Sequence, residues 1–104
     1  MLYIIYQEDR ADGAELRALH REAHFAYLDK HEDILVLGGA LLDKDGKTRT
    51  GSVLILNVPD LAAAEAFSQD EPFRKAGLFD SVKISRMRRG QWNPAAAPQS
   101  AEGH

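Results

Sequence analysis

The side chains best suited to moving a proton near neutral pH lie in two short stretches of this chain. Arg21-Glu22-Ala23-His24 falls inside a helical pattern, and Asp70-Glu71-Pro72-Phe73 opens a run that continues to Phe79. The first supplies an imidazole and the second two adjacent carboxylates, the minimum set for general acid–base chemistry. A carboxylate accepting from one imidazole nitrogen fixes the tautomer and stabilises the imidazolium, leaving the other nitrogen to act as base. Arg21, one turn before His24, offers a planar cation for an anionic or enolate oxygen, and Ser52 offers a hydroxyl for a substrate oxygen. As a nucleophile Ser52 would need His24 within about 3 Å and an oxyanion hole, and its surroundings lack a nucleophile elbow.

Other chemistries find less support. His20 and His24 have the i, i+4 spacing of a helical metal pair, but Arg21 stands directly after His20, where the zincin helix has its glutamate. His31 lies about 10 Å further along the helix axis, so no metal site is expected, and His20 and His31 are read as ordinary polar side chains. The absence of cysteine excludes disulfides, thiolate zinc sites and cysteine nucleophiles. Asp45-Gly46 is a turn signal, and no glycine-rich fingerprint precedes a helix, so no cofactor is expected.

These groups must be positioned by elements the pattern outlines. Leu2–Tyr6 reads as a strand, and Asp12-Gly13-Ala14-Glu15 as a capping-box variant opening a helix that runs to about Glu32. Ile34–Leu42, interrupted at Gly38-Gly39, and Ser52–Val58 form a hairpin about the Asp43–Lys47 turn. Pro59-Asp60 caps a second helix through Gln69, Pro72–Ala76 makes a short extra turn, and Ser81–Met87 is the last strand. The order βαββαβ predicts an α+β, ferredoxin-like fold: a four-stranded antiparallel sheet with two helices on one face. Asn93–His104, rich in Ala, Pro, Gln and Ser, reads as a disordered tail after a domain spanning residues 1–92.

A helical wheel places Leu16, Leu19, Ala23, Ala26 and Tyr27 of the first helix toward the sheet, with His20, His24 and His31 along one border. The strands are apolar on both faces: Leu2, Ile4 and Tyr6 alternate with Tyr3 and Ile5, and Leu54 and Leu56 with Val53 and Ile55. A chain of 104 residues cannot cover both faces itself, which predicts a homodimer formed through the open sheet face.

The net charge of −3 and pI near 5.7 give no electrostatic basis for binding nucleic acid or a membrane surface. Arg86, Arg88 and Arg89 beside Trp92 lack the aromatic pattern of an RNA-binding strand and read as a solvated strand end. The apolar opening Met1–Tyr6 stops at Gln7-Glu8-Asp9-Arg10, too short for a signal core or a spanning helix, so a cytoplasmic protein is expected.

The Arg-x-x-His of the first helix, Gly51-Ser52 at the third strand and the run Glu71-Pro72-Phe73-Arg74-Lys75-Ala76-Gly77-Leu78-Phe79 together resemble the YCII-related (YciI-like) family over about residues 1–92. The resemblance implies a dimeric α+β barrel with a His and acid pair in a cleft between helix and sheet. It also implies kinship with enzymes that eliminate chloride from hydroxylated chloroaromatics. Carried over residue by residue, the family's histidine is His24, its arginine Arg21, its strand serine Ser52 and its acid before proline Glu71. The family usually has Asp in that last place, so either Glu71, by position, or Asp70, by type, is the partner of His24. Phe73, Leu78 and Phe79 are expected to anchor the loop carrying that carboxylate.

Two functions are compatible with these residues. One is a small cofactor-independent lyase or isomerase, dehydrochlorinase-like, in which a His24–carboxylate dyad transfers protons on a small hydroxylated cyclic or aromatic compound. The other is a non-catalytic dimeric module that binds a small metabolite or regulates a partner.

Overall fold

The computed structural model describes residues 1–103; His104, at the end of the expected tail, lies outside the described residues. The chain forms β1 (Leu2–Asp9), α1 (Ala14–Lys30), β2 (Leu35–Leu42), β3 (Arg49–Asn57), α2 (Leu61–Asp70), α3 (Pro72–Lys75) and β4 (Phe79–Met87). All pairings are antiparallel and the sheet order is β2-β3-β1-β4, the ferredoxin-like arrangement expected. Pro94–Ala96 adds one 3-10 turn in an otherwise exposed tail.

Alternation along the strands sets the two faces. Tyr3 and Ile5 of β1 and Leu54 and Leu56 of β3 point inward and pack with Ala64 and Phe67 of α2, while Tyr27 and Leu28 of α1 lie against this cluster. The opposite face carries Leu2, Ile4, Val53 and Ile55, all partly exposed, beside the more open Tyr6, Leu37 and Met87. Asp60 caps α2 as expected, its Oδ1 accepting from the Ala63 amide at 2.8 Å.

Two details of α1 differ from the sequence reading. Its N-cap is Gly13, with no side-chain cap, because the Asp12 carboxylate accepts from the Arg10 guanidinium at 2.9 and 3.1 Å instead. Its inward stripe is also rotated: Leu19 is 75% exposed and Ala23 and Ala26 are exposed, whereas His24 is buried. Arg17, His20, Tyr27, Leu28 and His31 flank His24 and are half-buried. A wheel that seeks the most apolar face misses this phase, because His24 and Arg17 are held on the inner side by carboxylate partners described below.

Gly51 of β3 sits where β1 passes closest: a Cβ there would lie 2.1 Å from the carbonyl oxygen of Gln7. A backbone oxygen in a paired strand cannot rotate away, so any larger residue must push the strands apart. Gly51→Ala is therefore expected to cost about 2–3 kcal/mol, which thermal unfolding would register as a Tm lower by roughly 10–20 °C. A Tm within a few degrees of wild type would contradict this packing.

Tyr27 joins the aromatic cluster with Phe67 and His31, and its hydroxyl donates to the Phe67 carbonyl at 2.8 Å. Burial, with the charges of Asp70 and Glu71 adding to it, pushes its pKa from 10.0 up to about 12. A raised folded-state value means that the unfolded chain loses the proton first, so stability is intact below pH 10 and is lost as the pH rises toward 12. The urea midpoint should fall across that window in wild type and fall less steeply in Tyr27→Phe.

Candidate active site

The site is built around the break between α2 and α3. Pro72 disfavours a helical conformation at the residue before it, and Glu71 is accordingly extended, with φ −68° and ψ 129°. Pro72 then occupies the first position of α3, where its missing N–H costs nothing. Glu71 caps this short helix, its carboxylate accepting from the amides of Phe73 at 3.1 Å and Arg74 at 3.2 Å. The helix closes in a Schellman arrangement: the Leu78 amide donates to the Phe73 carbonyl at 3.1 Å, and the Gly77 amide to that of Arg74 at 3.0 Å. Gly77 takes the left-handed conformation this requires, with φ 77°, and Leu78 is fully buried. Leu78 and the buried Phe73 thus anchor the loop as expected.

The same Glu71 carboxylate, itself 1% exposed, meets Nδ1 of His24 in a short hydrogen bond. With two backbone amides donating to it, the Glu71 carboxylate is the acceptor from the imidazole as well, which places a proton on Nδ1; in the neutral imidazole the lone pair is then on Nε2. Among the described residues Nε2 has no hydrogen-bond partner, and no solvent-inaccessible side-chain nitrogen or oxygen is left unpaired, so Nε2 faces accessible space. Phe73 stacks on the imidazole, with ring centroids 4.0 Å apart and planes 17° from parallel. The Arg17 guanidinium lies 4.8 Å from the Phe73 ring centroid and forms a bidentate pair with Asp9, both bonds 2.9 Å.

His24 borders two cavities. An outer one of about 400 Å³ opens between the N-terminal half of α1 and the β2–β3 turn, and an inner one of about 190 Å³ runs toward Gly38-Gly39 of β2. Ser52 lines the inner cavity, and its Oγ accepts from Gln7 Nε2 at 2.9 Å, leaving the Ser52 hydroxyl proton to be donated. No hydrogen bond joins Ser52 to His24 among the described residues, so the pair lacks the contact a serine nucleophile and its base would make. Arg21 lines the outer cavity, its guanidinium 5.6 Å from the Phe25 ring centroid.

The structure therefore brings His24 and Glu71 into contact, with Ser52 and Arg21 on the walls of adjoining cavities. Asp70 is exposed and makes no hydrogen bond among the described residues; its effect is felt in the field at Tyr27. Sequence reasoning missed Asp9, Arg17 and Gln7 as parts of the site. A signal existed for two of them: Gln7 is a polar residue at an inward position of β1, and Arg17 lies two helical turns before His24 on the same face. Among the described residues no group of three or more ligating side chains could hold a metal ion, and no helix is long and apolar enough to cross a membrane.

The family model for the YCII-related domain matches residues 1–88. Protein YciI of Escherichia coli and that of Shigella flexneri are each 32% identical to this chain over 96 residues, covering 86% of it and 98% of their own length. Among solved structures, 5-chloro-2-hydroxyhydroquinone dehydrochlorinase from Burkholderia phenoliruptrix, in complex with 2,5-dihydroxybenzoquinone, superposes with a TM-score of 0.79. It is 33% identical and the match covers 86% of this chain and 96% of that one. An antibiotic biosynthesis monooxygenase superposes at a TM-score of 0.52 with 19% identity, covering 88% of this chain and all of that one, a likeness of fold alone. With the family pattern matched through β4 and relatives spanned almost end to end, this chain belongs to the YCII-related domain family.

Proposed function

We propose that this protein is a small enzyme of lyase or isomerase type in which His24 and Glu71 transfer protons on a hydroxylated cyclic or aromatic compound. The observation that carries the reading is the buried His24–Glu71 pair with Nε2 turned to a cavity. Similarity to a dehydrochlorinase of a hydroxylated chloroaromatic supports the substrate class.

In this reading Nε2 removes a proton from a ring hydroxyl or from a carbon beside a carbonyl. Glu71 stabilises the imidazolium that results and holds its ring in place, and Phe73 prevents it from tilting. Negative charge that develops on a substrate oxygen meets Arg21, while Ser52 donates to a neighbouring oxygen. Return of the proton to a ring carbon completes an isomerisation; where that carbon carries chlorine, a second hydroxyl proton and chloride then leave, an elimination of HCl overall. Neither route changes the overall oxidation level of the substrate and water, and chloride leaves as the anion in the elimination, so the reading calls for no cofactor.

The protein acts as a homodimer in this proposal, its partner covering the outer sheet face. Leu2, Ile4, Val53 and Ile55 form a contiguous apolar surface that the helices, packed on the other face, do not cover, with residues 91–97 beside its Leu2–Ile55 side.

His24→Gln is expected to lower turnover of 5-chloro-2-hydroxyhydroquinone by about 10²–10⁴-fold while binding of 2,5-dihydroxybenzoquinone stays within a few fold. Glu71→Gln should lower kcat, and Asp70→Asn should leave it within about twofold. If wild type binds the quinone yet turns over no such substrate, the protein is a binding module instead. For assembly, light scattering should give twice the 11.5 kDa chain mass for wild type and the single mass for Ile55→Lys; a monomeric wild type would sink the dimer.

A further inference from the structure

We propose that Arg49 is a specificity-determining residue that selects substrates carrying a fixed anionic substituent, a carboxylate or an acidic enolate, and holds it where the two cavities meet. The inference rests on the reading of the His24 site above and adds the charge of its ligand.

Arg49 begins β3 and lines both cavities, a property it shares with His24. It is exposed, and among the described residues its guanidinium makes no hydrogen bond or ion pair. No carboxylate among the described residues pairs with it. The single carboxylate lining the outer cavity is Asp9, already bound by both arms of Arg17, and Arg10 is bound by Asp12. Among the described residues Arg21, Lys47 and Arg49 are therefore three cations without an ion pair around one opening, in a chain whose net charge is −3. A concave site walled by one sign of charge concentrates ligands of the other.

Of these three, Arg49 alone also borders the inner cavity, where Ser52 donates. A planar guanidinium matches a carboxylate with two parallel bonds, so an anion docked there is oriented as well as attracted. The turn before Arg49 is ordered: Asp45 accepts from the Lys47 and Thr48 amides, both at 2.8 Å, and from the Thr48 hydroxyl at 2.5 Å. Those bonds hold the Asp45 carboxyl below its usual range. They also engage that carboxylate within its own turn. Arg49, His24 and Ser52 all line the inner cavity, so a substituent held by Arg49 leaves the attached ring room beside both.

The test is calorimetric binding of 2,5-dihydroxybenzoate and of its neutral methyl ester to wild type, Arg49→Gln and Arg49→Lys. Wild type should bind the acid at least about tenfold more tightly than the ester; Arg49→Gln should lose that preference with ester affinity unchanged, and Arg49→Lys should restore part of it. Equal binding of acid and ester by wild type, binding of neither at millimolar concentration, or a preference that survives Arg49→Gln would overturn the proposal. Because the readout is equilibrium binding, discrimination by charge without turnover would defeat the catalytic reading and leave this one intact. Turnover without discrimination would do the opposite.

Discussion

The arrangement depends on the carboxylate of Glu71. Burying a carboxylate is costly unless its oxygens are satisfied, and here two backbone amides and one imidazole converge on it. A four-residue helix has no stability of its own, so α3 exists because Glu71 caps it and the Schellman turn closes it. Through the same oxygens Glu71 ties α1 to the α2–α3 junction. The extra methylene relative to aspartate is compatible with doing both tasks from one position.

Along the sheet, the apolar core and the candidate site are separated by distance. The inward residues of β1 run from Tyr3 and Ile5 to Gln7 and Asp9, and those of β3 from Leu56 and Leu54 to Ser52. One half of the inner face is thus a hydrophobic core closed by α2, and the other a set of paired polar groups closed by α1 and α3. Each polar group in that second half answers another: Gln7 with Ser52, Asp9 with Arg17, Glu71 with His24. This pairing is what allows the site to be buried without orphaned donors or acceptors. Gly51 belongs to the same design, since the close approach of β1 and β3 beside it sets the register that brings Gln7 opposite Ser52.

Much of this was legible in the sequence because it is local. Alternation in Leu2–Tyr6 and Ser52–Val58, the Asp60 cap and the proline at 72 each act over a few residues and each appears where the pattern puts it. The rotational phase of α1 was not legible, because its inward side is chosen by partners distant in the chain. Leu19 and Ala23 look like core residues, yet Asp9 and Glu71 draw Arg17 and His24 inward in their place. The choice between Asp70 and Glu71 turns on where α2 stops, one residue of helix deciding which carboxylate points inward. That Phe73 stacks on His24, in addition to anchoring its loop, depends on a helix packing that no single segment encodes.

The stack of Phe73 on the imidazole has a stereochemical consequence. With Nδ1 committed to Glu71 and one ring face covered by Phe73, His24 cannot turn over to present its other nitrogen. A proton that arrives at Nε2 can leave only from Nε2, back into the same cavity. For a ligand that keeps its orientation in the cavity, any transfer mediated by this imidazole is therefore suprafacial, delivering to the face from which it took, and an isotopic label on the migrating hydrogen is diluted only by water that shares the cavity with it.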